Sequence, residues 1–186
     1  MIKALAWYLR HEVRPRIGSI FDSVFWIAAI CGAIFGFWGA HLVPKTTTAG
    51  TIAIALLTYA AIALGFSLAG LTLVLTLPNT SFVTLLYQTK PQRKKHDSYS
   101  DLIFVFSWTA IVHWLIVFVS IVLVLFVNPQ QPAFELEKNR LCSGVTTGLA
   151  IYALCQFLVT LITLAQVGKT YTDHLRGEAN NKAVTQ

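Results

Sequence analysis

Two uninterrupted apolar stretches decide what this chain can fold into. The stretch 102–127 runs for 26 residues without an Asp, Glu, Lys or Arg, and the stretch 51–77 runs for 27. A bilayer core about 30 Å thick is crossed by roughly 20 helical residues. The stretch 102–127 holds 19 Leu, Ile, Phe or Val residues. Their summed insertion free energy, about −8 kcal/mol, outweighs the cost of one polar residue. We therefore predict that both stretches cross a membrane.

Two further apolar stretches complete the predicted fold. Hydrophobic residues make up 55% of the 186 residues and charged residues only 12%, a balance unusual for a soluble domain. We predict an all-α, integral membrane four-helix (tetraspan) bundle that forms a single membrane domain. The predicted segments are an amphipathic interfacial helix at 1–20, spans at 23–43, 51–77, 102–127 and 141–167, a basic loop at 78–101, an outer loop at 128–140, and a tail at 168–186 that we expect to end disordered.

The Lys and Arg residues are unevenly divided between the two predicted sides of the membrane. If both termini are cytoplasmic, eleven of the 14 lie in inner segments, and only Lys45, Lys138 and Arg140 lie outside. Short loops rich in Lys and Arg stay in the cytoplasm during insertion. The distribution predicts a multi-pass protein of the bacterial inner (cytoplasmic) membrane with both termini inside.

The inner basic residues are also a candidate contact surface. Four lie within six residues of the basic loop and three lie in the lead-in: Lys90, Arg93, Lys94, Lys95, Arg10, Arg14 and Arg16. Three interpretations are open. The cluster can be an orientation signal alone, a site for anionic lipid headgroups, or a docking site for an acidic cytosolic protein or a nucleotide signal. Because the charge follows the loops, we expect no direct binding of nucleic acid.

Small residues recur at four-residue spacing in the first two spans. The first span carries Ala28, Gly32, Gly36 and Ala40, and the second carries Gly65 and Ala69. Such spacing places small residues on one helix face, where a neighbouring backbone can approach closely. We predict helix packing at these faces, within one chain or between copies.

Polar residues within the spans are the remaining candidates. His113 lies about 16 Å from the inner end of its span, close to the bilayer midplane. It is expected either to form a hydrogen bond between helices or to act in gating or proton transfer. Gln156, Thr160 and Thr163 lie near one face of the fourth span. They can form hydrogen bonds between helices or, in an oligomer, line a weakly selective pore.

Nothing in the sequence predicts an enzyme. No HExxH, GxSxG, P-loop or CxxC pattern occurs, and no pair of acidic residues lies within the spans. The connecting segments are too short for a soluble catalytic domain. We expect no catalytic residues, no metal and no cofactor.

The order of four spans, short outer loops and basic inner segments resembles the small tetraspan membrane subunits of bacterial antiphage defence systems, the Kiwa-type membrane proteins. That resemblance implies a homo-oligomer whose cytoplasmic face recruits a soluble effector and senses events at the membrane.

Three functions follow as hypotheses. The first is a non-enzymatic, homo-oligomeric scaffold or sensor that docks a soluble cytosolic effector on its basic face. The second is a homo-oligomeric ion channel or pore-forming effector lined by the fourth span. The third is a small-solute transporter, although the related halves or broken helices typical of transporters are not found. The expected partners are membrane lipid, further copies of the chain, with four as a guess, and a soluble protein.

Overall fold

The computed structural model describes residues 13–16, 18, 23–42, 47–76, 80–88, 98–126 and 140–184. The described part of the chain is all-α, as predicted. A 3₁₀ turn at Arg14–Arg16 is followed by α1 (Ser23–Leu42), α2 (Ala49–Leu75), α3 (Thr80–Gln88), α4 (Ser98–Phe126) and α5 (Arg140–Val184). Most of the predicted interfacial helix at 1–20 lies outside the described residues.

The helix boundaries follow from local chemistry. All six prolines fall outside the five α-helices, because proline cannot donate the backbone hydrogen bond of a helix interior. At the start of α2, the Thr48 hydroxyl accepts a hydrogen bond from the backbone N–H of Thr51 at 3.3 Å, which caps that end. At the start of α4, Asp101 lies in the first turn, where a negative charge is favourable. The helix begins four residues before the predicted span.

Among the described residues, three helices are long and apolar enough to cross a membrane. They are Ala49–Leu75, Ser98–Leu125 and Gly144–Gly177. The shorter apolar stretch in α1 is Val24–Phe35. Within the most apolar part of each long helix, only 17% to 33% of the residues are buried in the chain, and large side chains such as Ile62 and Leu125 are 68% and 70% exposed. Apolar surface of this extent is typical of contact with lipid.

The last helix is much longer than the predicted fourth span. α5 has 45 residues, which corresponds to about 68 Å of helix. The predicted tail at 168–186 is therefore helical as far as Val184, and its last two residues, where a disordered end was predicted, lie outside the described part of the chain. A polar composition does not stop a helix that is already formed, because each added residue gains one backbone hydrogen bond without a new nucleation cost. No proline occurs after Pro132.

The chain forms two compact units, and each long helix contributes residues to both. Unit 1 comprises Met1–Ile62 and Val112–Cys155, and unit 2 comprises Ala63–Ile111 and Gln156–Gln186.

Unit 1 is held together by a close contact between the backbones of α1 and α5. A Cβ atom added at Gly32 would lie 2.6 Å from the Gly144 carbonyl oxygen and 2.7 Å from the Gly148 Cα. One turn earlier, Ala28 is buried, and its carbonyl oxygen lies 3.2 Å from a Cβ built at Gly148. Gly144 and Gly148 form the Gly-xxx-Gly spacing that permits such approach.

The predicted small-residue faces therefore divide into two groups. Ala28 and Gly32 pack against α5 of the same chain, and Gly36 and Ala40 follow them along α1. In contrast, Ala69 is exposed, and among the described residues none outside the local helix has an atom within 4 Å of a Cβ built at Gly65. The small-residue face of α2 is thus open in the single chain.

Unit 2 has an apolar core where α2, α4 and α5 meet. Val74, Leu102 and Phe106 are buried together, with partly buried side chains packed against them: Leu71, Tyr99, Ile103, Leu164 and Val167. Gly70 makes room for this core, because a Cβ at that position would collide with the Phe106 ring.

Candidate functional site

Unit 2 contains a cavity of about 330 Å³ between α3, α4 and α5. We call it the Asp101 cavity. Its polar lining consists of Ser98, Asp101, Thr163, Gln166 and Thr170. Asp101 was not among the site residues predicted from the sequence. The cavity itself could not be predicted, because its lining comes from three helices that are distant in sequence.

The remaining wall of the Asp101 cavity is aliphatic. Leu86 of α3, Leu102 and Val105 of α4, and Val167 of α5 complete the lining. Leu102 begins one apolar span and Val167 ends another in the sequence. The cavity is therefore placed where the helices change from apolar to polar composition, and it offers both kinds of surface to a ligand.

The threonine hydroxyls of this cavity are already engaged as donors. Thr163 donates to the carbonyl oxygen of Val159 at 2.8 Å, and Thr170 donates to that of Gln166 at 2.9 Å. A hydroxyl has one proton and two lone pairs. With the proton committed to the backbone, each oxygen can act only as an acceptor toward the cavity.

A second feature of unit 2 is a pair of helices beyond the predicted spans. We call α3 together with residues 169–184 of α5 the α3–α5 platform. Phe82 of α3 is fully buried and makes an edge-on ring contact with Tyr171, with centroids 5.0 Å apart. The Ser81 hydroxyl lies 3.0 Å from His174 Nε2. These contacts fix α3 to α5, while Lys169, Asp173 and Arg176 are exposed.

His113 belongs to unit 1 and forms a hydrogen bond between helices. Its side chain is 0% exposed, and its Nε2 lies 3.0 Å from the Tyr59 hydroxyl oxygen of α2. Thr109 and Ser120 are also buried on this face of α4, about 6 Å and about 10 Å from His113 along the helix axis. The Thr109 hydroxyl forms a hydrogen bond with Thr160 at 2.7 Å, and Ser120 is too far away for a direct proton transfer, so the geometry favours the structural interpretation.

Tyr59 was not singled out in the sequence, although the signal was present. It is a polar aromatic residue inside a long apolar span, and the reasoning applied to His113 applies equally to it. In the predicted spans Tyr59 lies 8 residues and His113 lies 14 residues from the outer end, a difference of about 9 Å in depth, so sequence position alone does not pair the two.

The predicted polar face of the fourth span is partly used within the chain. Thr160 is fully buried, and its hydroxyl oxygen lies 2.7 Å from that of Thr109 on α4. Thr160 donates its own proton to the Gln156 carbonyl at 2.9 Å, which leaves Thr109 as the donor of the pair. Thr163 lines the Asp101 cavity, and the Gln156 side chain is half-buried. These residues do not form one open polar face.

The predicted basic surface is described only in part. Lys90, Arg93, Lys94, Lys95 and Arg10 lie outside the described residues. Arg14 is exposed. Arg16 is only 5% exposed and has an interaction partner within the chain, so it adds little to an open basic surface.

Comparisons of the chain with protein families, with curated proteins and with solved structures find no match.

Proposed function

We propose that this chain is a non-enzymatic, homo-oligomeric scaffold or sensor of the bacterial inner membrane that docks a soluble cytosolic effector on its inner face. In this proposal α1 crosses the membrane in addition to α2, α4 and α5. Four crossings place both termini in the cytoplasm. The layout that resembles Kiwa-type subunits suggests antiphage defence as the setting.

The α3–α5 platform is the observation that carries the proposal. An orientation signal needs only basic residues in a short loop. Here α3 and the last part of α5 lie beyond the spans predicted from the sequence, and they are fixed to each other by Phe82, Tyr171 and the contact between Ser81 and His174. A packed helical surface with exposed charged side chains is what a soluble partner requires for a defined docking geometry.

The basic segment is covalently tied to this platform. Nine residues join Gln88, the last residue of α3, to Ser98, the first of α4. Four of these nine are Lys90, Arg93, Lys94 and Lys95. A segment of this length reaches at most about 30 Å when fully extended, so its charges stay near the platform. An acidic partner would be attracted there.

The open small-residue face of α2 supports the homo-oligomer. Gly65 and Ala69 are exposed on it, together with Thr58 and Thr72, whose hydroxyls donate to carbonyls of their own helix. A face of small residues with internally satisfied hydroxyls suits close contact with a second copy. Closed rotational symmetry is the usual outcome of such self-association.

The pore-forming alternative has less support. It requires the polar face of the fourth span to line an axis between copies. Thr160, near the middle of that face, is instead buried against Thr109. Opening such a pore would break this hydrogen bond or rotate α5.

Reversing the charge of the basic segment on the inner face tests the proposal. We expect the tagged protein, extracted mildly from its own membrane, to retain a soluble protein in stoichiometric amount. In the triple variant Arg93→Glu, Lys94→Glu and Lys95→Glu, recovery of that protein should fall at least tenfold, because six units of charge change at the docking surface. Quantitative mass spectrometry of the purified material measures this.

The matched control reverses three basic residues of the predicted outer segments: Lys45→Glu, Lys138→Glu and Arg140→Glu. It should retain the partner in full. Both variants are first checked for membrane insertion, since Lys and Arg also direct topology. Equal recovery of the partner from wild type and the inner triple variant, with insertion intact, would contradict the proposal.

A further inference from the structure

We propose that the Asp101 cavity binds an amphiphile through its primary ammonium group, with the hydrocarbon of the ligand against the aliphatic wall. This site shares Leu86 and Thr170 with the α3–α5 platform, but binding of the amphiphile does not require the soluble effector.

The polar part of the cavity is rich in hydrogen-bond acceptors. The Thr163 and Thr170 hydroxyls donate to backbone carbonyls, so their oxygens are left as acceptors. An ionised carboxylate accepts only, and its two oxygens offer about four lone-pair positions. Asp101 can therefore bind a ligand in addition to the interaction that it already has within the chain. Asp101, Thr163 and Thr170 are therefore complementary to a group with several N–H donors, while the Ser98 hydroxyl and the Gln166 amide can also donate to an acceptor elsewhere on the ligand.

A primary ammonium group meets this requirement best. It has three N–H donors and a positive charge, and Asp101 is the acidic residue of the lining. Hydrogen bonds between charged partners are shorter and roughly twice as strong as neutral ones. A quaternary ammonium has no N–H to donate, and an anionic group would meet the carboxylate with like charge. The cavity should discriminate against both.

The dimensions indicate that the ligand has an apolar part as well. A volume of about 330 Å³ far exceeds the roughly 30 Å³ share of one water molecule and lies at the lower end of small-molecule sites. Leu102, Val105 and Val167 provide a wall for hydrocarbon. The two chemical surfaces meet where the sequence places the boundary of the apolar spans, the depth at which lipid headgroups lie.

Two sources can supply this chemistry, an ethanolamine phospholipid of the bilayer or a soluble long-chain amine. Native mass spectrometry of the full chain in mild detergent distinguishes them. The probes are dioctanoyl-phosphatidylethanolamine, dioctanoyl-phosphatidylcholine and dodecylamine, each titrated separately. We expect the ethanolamine lipid to bind about tenfold more tightly than the choline lipid, and dodecylamine to compete with it.

Two variants locate the binding. Asp101→Asn keeps the side-chain volume but removes the charge, and should abolish the preference for ethanolamine over choline. Val105→Phe fills the aliphatic side of the cavity and should weaken the binding of the ethanolamine lipid and of dodecylamine alike. Asp173→Asn removes an exposed carboxylate of α5 that does not line the cavity and should leave the binding of all three probes unchanged. Thermal unfolding of each variant verifies the fold, and Gln166→Leu replaces either variant that does not fold.

The outcomes are separable. If the wild-type protein prefers the ethanolamine lipid and Asp101→Asn does not, the result supports the site with a lipid as its ligand. Binding of dodecylamine that depends on Asp101, without discrimination between the two lipids, supports the site with a soluble amine. Absence of any ammonium preference in wild type, or wild-type binding in both cavity variants, would overturn the proposal.

Discussion

A single methyl group added at position 32 is expected to destabilise the packing of unit 1 by about 3 kcal/mol. In Gly32→Ala the new Cβ would lie 2.6 Å from the Gly144 carbonyl oxygen and 2.7 Å from the Gly148 Cα. Both obstacles are backbone atoms of α5, so no side-chain rotation can relieve the contact. α1 and α5 must move apart, and the contacts along their whole interface weaken, including the ring contact of Phe25 with Tyr152.

Gly65→Ala is the matched control. Among the described residues, none outside the local helix has an atom within 4 Å of the Cβ at that position, and alanine favours the helix by up to about 1 kcal/mol over glycine. Unfolding of the dissociated single chain in mixed detergent, followed by helical circular dichroism, compares the two variants. We expect Gly32→Ala to unfold at clearly lower denaturant concentration than wild type and Gly65→Ala to unfold at an equal or slightly higher one. Equal stability of the two variants would contradict the contact between α1 and α5.

The second large effect is expected at the pair formed by Tyr59 and His113. Tyr59→Phe removes a hydrogen bond to an imidazole that is fully buried. We expect it to lower the free energy of unfolding by about 1–2 kcal/mol. His113→Leu should cost a similar amount. In the double variant the two losses should not add, because the same hydrogen bond is removed only once. A coupling energy near 1 kcal/mol is expected, within the range measured in other membrane proteins.

Thr58→Val is the control for this cycle. Thr58 is adjacent to Tyr59, is exposed, and donates its hydroxyl to the carbonyl of Ile54 in its own helix. Its replacement should change stability by only a few tenths of a kcal/mol. Strictly additive effects of Tyr59→Phe and His113→Leu would show that the two side chains do not interact and would reopen the proton-transfer interpretation of His113.

The positions of the long helices could be predicted because they depend on local properties. Span 51–77 corresponds to α2 at Ala49–Leu75, and span 102–127 corresponds to α4 at Ser98–Phe126. Apolar length and the placement of proline determine both. The continuation of α5 beyond residue 167 was not predicted, because a polar composition ends an apolar span but does not by itself end a helix.

The partners of individual residues were harder to predict because they depend on which helices are neighbours. Ala28 and Gly32 were expected to face a close backbone, but only the structure identifies Gly144 and Gly148 as that backbone. Conversely, Gly65 has the same kind of spacing and is open in the single chain. The spacing in the sequence shows that a helix face carries small residues, but it does not show whether another helix covers that face.

The proposed function depends on the inner location of both termini and of the basic segment, and cysteine labelling measures that location directly. Cys31, Cys142 and Cys155 are first replaced by alanine, and single cysteines are then introduced by Arg14→Cys, Lys45→Cys, Lys94→Cys, Lys138→Cys and Asp173→Cys. A membrane-impermeant maleimide applied to cells with a permeabilised outer membrane should label positions 45 and 138 only. Positions 14, 94 and 173 should react only after the inner membrane is opened. Labelling of position 94 from outside would contradict the inner docking face, and labelling of positions 14 and 45 from the same side would show that α1 does not cross.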